Sequence, residues 1–356
     1  SKPVVVQFTN SAGGNVTVGA GGVTSGDMKI TGSNFVFSGG QMTVVSGSTI
    51  DLAAGGLNRF GNAITGGGAI LQSSGETRLT GDVSLSGGMT VNGGLVRVGE
   101  GGSSGSFSGN TVLNNGADLA FDRSNAYIHT GSISGNGNLV KVASGTTTLT
   151  GSNSYTGSTT LYAGTLVASN ASALGTGNIT FNGAGGNTGI VRYTAASAGT
   201  DWASRFKNSS GTIRLDTDGN DVSLAGAIDS SNTQGLAKSG SGKLTLSGNN
   251  SYTGSTTISA GTLEVASGGS ISTSSSTVNS GGTLDVDGTA GNVTVNSGGI
   301  LKGGGTVSAL TIAGGGTLAV GNSTGILNAG NTTFLGAGNY DWEIDNFTGS
   351  VGTSWD

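Results

Sequence analysis

The sequence predicts an all-β chain wound as a single parallel β-helix, a β-solenoid rod, and three observations carry that prediction. One phrase occurs twice: GTTTLTGSNSYTGSTTLYAGTLVA, from Gly145 to Ala168, returns as GKLTLSGNNSYTGSTTISAGTLEV, from Gly242 to Val265, at a constant offset of 97 residues. Self-similarity at a fixed offset marks a repeat architecture. Inside it runs a period of 17 residues in which a β-branched residue, a Gly-Gly corner and a leucine recur, as in Val278 to Leu284, Val295 to Leu301 and Ile312 to Leu318. Finally, the 356 residues hold 72 glycines, one proline and no cysteine, a glycine density under which helices are unstable.

The repeating unit is strand, glycine corner, strand. In Lys243-Leu244-Thr245-Leu246-Ser247 and Thr262-Leu263-Glu264-Val265, apolar and polar residues alternate. That alternation sends the leucines and Val265 to one face and Lys243, Thr245 and Glu264 to the other. The corners read Asn-Ser-Gly-Gly, Asn-Asn-Gly or Ala-Gly, residues that accept a positive φ at little cost. No stretch keeps apolar residues at i, i+3, i+4 and i+7 over the length of a helix. A sandwich would need two or three domains with separate cores and linkers, and no linker interrupts the pattern. Stacked coils need neither, because equivalent positions bury against each other. At roughly 17 to 22 residues and about 4.8 Å of rise per coil, the rod would be on the order of 80 to 100 Å long.

Taken in order, residues 1–134 are coils with degenerate repeats, such as Val44 to Ile50 and Leu113 to Leu119 across Asn115-Gly116. Residues 135–267 carry the two clear long repeats and residues 268–356 the 17-residue period, all within one continuous solenoid. Lys2 to Asn10 forms an apolar strand with Val4, Val6 and Phe8 on one face. It is placed to seal the first coil or to add itself to the last coil of a second copy, a contact that repeats head to tail into a fibre. Trp342 and Trp355 are placed to cap the other end, where an uncovered sheet edge invites pairing.

Composition narrows the function classes. Charged residues are 9% of the chain and the net charge is −5, so no basic stripe is expected to track phosphates and nucleic acid is not a partner. No apolar run approaches the ~20 residues of a membrane span. Valines and leucines kept in register argue against disorder. Ser1-Lys2-Pro3 opens the chain with neither an initiator methionine nor an apolar signal segment, the form of a mature or trimmed chain whose targeting peptide is absent.

The units LAKSGSGKLTLSGNNSYTG (Leu236 to Gly254) and its earlier copy resemble the autotransporter-associated β-strand repeat, also called the passenger-associated transport repeat. IVRYTAASAGTDWASRF (Ile190 to Phe206), IRLDTDGNDVSLAGAI (Ile213 to Ile228) and YDWEIDNFTGSVGTSWD (Tyr340 to Asp356) are similar to segments that accompany this repeat in large bacterial surface proteins, and GETRLTG with MTVNGGLVRV is a degenerate copy. The resemblance implies a right-handed β-helix, exported from a Gram-negative-type cell and held at its surface or released outside. It also implies a structural or adhesive role as a stalk, a passenger module or a fibre subunit, with surface glycans as contacts. No C-terminal run of barrel strands ending in an aromatic residue follows the repeats. A polysaccharide-binding or polysaccharide-degrading β-helix is the alternative from a different class.

Candidate sites are weighed against plainer roles, and no catalytic, cofactor-binding or metal-ligating residue is assigned. Asp216-Thr217-Asp218-Gly219-Asn220-Asp221 clusters oxygen ligands, but its spacing is not that of a calcium loop, and a solvated turn is expected. Asp285 with Asp287, and Asp341 with Glu343 and Asp345, sit two apart on the outer faces of their strands. No cation lies near them in sequence, so they read as solvated carboxylates rather than a catalytic pair. His129, the one histidine, is expected at the surface or a corner. Thr146-Thr147-Thr148 and Thr159-Thr160 reflect β-propensity rather than an ice-binding array. Asn15, Asn249, Asn292 and Asn331 begin sequons that this composition produces by chance. Tyr155 and Tyr252, equivalent in the long repeat, are expected to pack over the core rather than stack on sugars.

Overall fold

A computed structural model describes residues 5–10, 12–53, 55–183, 189–320 and 326–341. The alternating strands find partners one coil away, and the described pairs are parallel. Their contacts group into two units, residues 1–179 and 180–356, and each is a parallel β-solenoid. Among the described residues the regular elements are strands, apart from the 3-10 turn Ala203–Arg205.

In the first unit each coil feeds strands into separate ladders. One ladder stacks Val6–Phe8, Met28–Ile30, Thr49–Leu52, Ala69–Gln72, Met89–Val91, Thr111–Leu113 and Ile133–Gly135. A second stacks Gly14–Val18, Phe35–Gly39, Leu57–Phe60, Glu76–Leu79, Leu95–Val98, Asp118–Phe121, Asn138–Lys141 and Thr159–Leu161. Shorter strands at the third position, Val23–Ser25, Met42–Val44, Ile64–Gly66, Asp82–Leu85 and Ser106–Phe107, form a third. Tyr127–His129, Thr146–Leu149 and Thr165–Ala168 pair in turn beyond them. Inward residues meet their own kind along the axis: Ile50, Ile70 and Met89 are in register and buried, and Phe37 stacks on Phe60 with ring centroids 4.7 Å apart. The first described strand pairs with its own chain, Val6 opposite Met28 and Phe8 opposite Ile30. Phe8 packs edge-on against Phe35 and Phe37. Lys2 and Val4 lie outside the described residues.

In the second unit two ladders dominate. One runs through Ile213–Asp216, Leu236–Ser239, Thr256–Ile258, Ser276–Val278, Thr289–Val295, Thr306–Ile312 and Asn328–Phe334. The other runs through Val222–Leu224, Lys243–Leu246, Gly261–Val265, Gly282–Val286, Ile300–Gly303, Thr317–Val320 and Asn339–Asp341. The 17-residue period is one coil: Val278, Val295 and Ile312 are in register, as are Leu284, Leu301 and Leu318. The corners that join them put Gly281, Gly298 and Gly315 at φ 81°, 74° and 80°, where a Cβ is strained.

Leu263 is fully buried between Leu244 and Leu284, whereas Thr262 on the same strand points outward. Leu263→Ala is expected to destabilise the fold by about 2–5 kcal/mol and Thr262→Ala by less than about 0.5 kcal/mol, read from urea unfolding followed by circular dichroism. Equal effects would contradict the inward column.

Candidate functional site

What distinguishes the long repeat is polar and lies inside the coil. Lys141 and Lys238, equivalent in the two copies, are fully buried on strands Asn138–Lys141 and Leu236–Ser239. The Lys238 ammonium donates to the carbonyls of Ser239, Gly240 and Ala260 at 2.9, 2.7 and 3.1 Å. Lys141 donates to the Ala143 carbonyl. Burial pushes both ammonium groups down to about 8, against the pull of Asp122 on Lys141 and of Asp216 and Asp221 on Lys238. In the degenerate copy Gln72 takes this place, fully buried, and its amide donates to the carbonyls of Gly75, Gly93 and Leu95 at 3.2 Å each. A tight corner turns several carbonyls inward at once, and each needs a donor. One long donor serves the cluster.

The Asn-Ser-Tyr triplet works in the same way. Asn153 accepts from the Ile133 amide at 2.8 Å and donates to the Ala173 carbonyl at 2.7 Å, tying coil to coil. Asn250 accepts from Ile228 and donates to Gly248 and Ser270. Tyr155 and Tyr252 are fully buried, as expected for packing, with their hydroxyls 2.6 and 2.7 Å from Thr159 and Thr256 Oγ1. Burial raises the Tyr252 hydroxyl well above the usual phenol range, so it stays protonated.

Outside, charge is arranged in ladders. Arg59, Arg78 and Arg97 are in register on successive coils. Arg59 pairs with Glu100 at 2.9 Å, Arg78 with Glu76 at 2.7 Å and also with Glu100, and Arg97 with Glu76 at 3.3 Å and Asp122 at 2.9 Å. Three cations and three carboxylates cancel. Burial raises the Glu76 carboxyl, but the hydrogen bonds and charges of Arg78 and Arg97 outweigh it and hold it below its ordinary range. The hydrogen bond from Arg59 leads the causes that hold Glu100 low. The sequence did offer a signal for this ladder, since the arginines recur every 19 residues, a spacing that differs from that of the long repeat.

The individual candidates fall as follows. His129 is not at the surface or a corner: it is fully buried in strand Tyr127–His129, against Phe121 and Phe107, with Nδ1 3.1 Å from the Phe107 carbonyl. Its neighbours two residues before and in the adjoining coil are aromatic, and burial drives its pKa down to about 4. Asp216 pairs with Arg192 at 2.8 Å and caps the Asp218 amide, while Asp221 caps the Lys243 amide. These carboxylates stabilise a turn in which Asp218 has φ 48°, and no three metal-ligating side chains converge among the described residues. Asp285 is buried and pairs with Lys302, one coil on, at 2.9 Å, so it is not the solvated carboxylate expected. The cation comes from the stacked coil and not from the neighbouring sequence. Asp287 is not on the strand, which ends at Val286, and it accepts from the Gly304 amide at a corner. Asp341 is exposed, while Trp342, Glu343, Asp345 and Trp355 lie outside the described residues. Thr147 and Thr159 point inward and are fully buried, which breaks any flat threonine array. Asn15, Asn249, Asn292 and Asn331 are exposed.

These features define a class, a parallel β-solenoid whose repeat signature is a set of buried corner-satisfying polar residues. A profile of the passenger-associated-transport-repeat matches at residues 72–98, 139–168 and 236–265, the stretches that hold Gln72, Lys141 and Lys238. The chain carries that repeat three times. It is 32% identical over 266 residues, 72% of its length, to the adhesin BmaC autotransporter of Brucella suis biovar 1 (strain 1330), of which it spans 7%. Among solved structures, a crystal structure of a TibC-catalyzed hyper-glycosylated TibA55-350 fragment aligns over 95% of this chain and 97% of that one, at 21% identity and a TM-score of 0.27.

Two predictions follow from the buried polar residues. Lys238→Ala leaves three corner carbonyls without a donor and is expected to cost about 1–3 kcal/mol. Lys238→Gln, which copies Gln72, is expected to recover most of that loss in the same unfolding assay. His129 is held neutral when folded, so its contribution is complete above its ordinary value of 6.5 and is lost as pH falls through about 4. The wild-type chain is expected to lose about 3 kcal/mol more than His129→Phe between pH 6.5 and 4, and parallel pH profiles would show that His129 carries no such linkage.

Proposed function

We propose that this chain is a length of an exported bacterial surface protein, an extracellular spacer that serves adhesion mechanically rather than by catalysis. The observation that carries this reading is where the repeat's distinguishing residues go. Lys141, Lys238, Asn153, Asn250, Tyr155 and Tyr252 are spent on holding corners and coils together. Such a repeat makes stackable length. Each coil is tied to the next by a parallel ladder and by side chains bridging the rungs, an arrangement that resists axial and lateral strain. The likeness to an autotransporter adhesin supports an adhesive role outside the cell, and no helix among the described residues is long and apolar enough to cross a membrane.

The enzyme alternative looks for acids and bases converging from separate coils, and the arginine ladder is such a convergence. Its carboxylates Glu76 and Glu100 are held low by their arginines, which leaves them without the raised pKa that a general acid at neutral pH requires. That arrangement supports a structural role. The fibre-subunit reading, in which the strand from Lys2 to Asn10 adds to the last coil of a second copy, stands second, favoured by a composition with only 9% charged residues.

Beads coated with the purified chain are expected to stay on epithelial monolayers under flow at least tenfold more than albumin-coated beads, and equal retention would sink the adhesive reading. Sedimentation velocity over a hundredfold range of concentration separates the two assembly forms. A constant coefficient is expected for a spacer, and growth with concentration would favour the fibre.

A further inference from the structure

On the outer face of the first unit, beside the end of the arginine ladder, lies a groove of about 440 Å³. It crosses strands Leu95–Val98, Asp118–Phe121, Asn138–Lys141 and Thr159–Leu161. Its depth comes from a small side chain: in the register Arg97, Ala120, Val140, Thr160, Ala120 is the smallest and is only 1% exposed although it faces outward. We infer that this groove binds a neutral, linear oligosaccharide, with Tyr162 as the stacking platform and the Asp118, Asn138 and Ser158 row as the hydrogen-bonding wall. This rests on the adhesive reading above and names the ligand class it would use.

Four features select that ligand. First, the rungs are about 4.8 Å apart, on the scale of one pyranose ring in an extended chain, so successive sugars meet successive rungs. Second, the groove is amphipathic in the way a pyranose is. Ala120, Val140 and Val142 supply apolar floor, and Tyr162, 44% exposed at its edge, presents a ring with a polar tip. Third, the polar wall is pre-oriented. The Asn138 amide donates to Asp118 Oδ1 at 2.9 Å, and its carbonyl oxygen accepts from the Ser158 amide at 2.9 Å and hydroxyl at 3.1 Å. Asp118, one of the lining residues, offers its carboxylate as an acceptor for a hydroxyl. Fourth, the one cation in the lining, Arg97, is already balanced by Glu76 and Asp122. An anionic polymer therefore gains little there, and a neutral one loses no ion pair.

The test is isothermal titration calorimetry of the full chain with cellohexaose, laminarihexaose, xylohexaose and N-acetylchitohexaose, and with hexagalacturonate as the anionic control. At least one neutral hexaose is expected to bind with a dissociation constant below 1 mM. Tyr162→Ala, at an exposed position, should weaken it at least tenfold, and Ala120→Leu, which fills the floor, should abolish it. Unchanged circular dichroism and melting of Tyr162→Ala would show that the fold is kept. Absence of binding by every neutral hexaose, preference for hexagalacturonate, or binding indifferent to both substitutions would each overturn the proposal. The bead assay separates this from the broader reading: full retention by Tyr162→Ala beads together with silent calorimetry removes the groove and leaves adhesion standing, whereas loss of retention already in the wild type removes adhesion itself.

Discussion

Everything in this molecule depends on the corners. A parallel coil reverses direction every few residues, and each reversal points carbonyl groups toward an interior that is otherwise leucine, valine and phenylalanine. An unpaired buried carbonyl costs about 1–3 kcal/mol, and a solenoid multiplies that cost by its number of turns. The chain meets the demand in two ways. Where glycine takes positive φ, as at Gly281, Gly298 and Gly315, the corner closes on its own backbone and the neighbouring coil. At other corners, Gly75 and Gly240 among them and likewise at positive φ, a buried Lys, Gln or Asn also reaches across and donates.

This recasts the meaning of the repeat. Polar residues in a repeated surface protein invite a search for a ligand, yet the most regular of them here face inward. Lys141 and Lys238 do what Gln72 does, so the requirement at that position is a long hydrogen donor rather than a charge. Retaining lysine makes the coil sensitive to pH, because an ammonium held near 8 when folded and at 10.5 when unfolded opposes folding below 8 and ceases to do so above 10.5.

The exterior follows a different rule. Stacking in register places like beside like, which helps leucine and harms charge. The chain answers by interleaving carboxylates between Arg59, Arg78 and Arg97 and by flanking Glu264 and Asp285 with Lys243 and Lys302. Neutral ladders keep successive coils compatible and leave the local relief, such as the depression over Ala120, to shape what the surface can hold.

The sequence by itself determined the β-solenoid, the 17-residue coil and the inward columns, because periodic burial of alternating residues is a local property that strand geometry repeats coil by coil. It also placed Tyr155 and Tyr252 in the core through their equivalence. Tertiary structure alone decided what lies one coil away. His129 is buried because Phe107 comes from the preceding coil and Phe121 from the preceding strand of its own coil, and Asp285 has a partner because Lys302 sits one rung on. Asp287 fell off the strand because the corner begins at Val286 and the Gly304 amide, also from the next coil, needs an acceptor. Alternation tells in from out, but the charge and chemistry facing a residue belong to its neighbours along the axis, some 17 to 25 residues distant in the chain, and only the register of the stack brings them together.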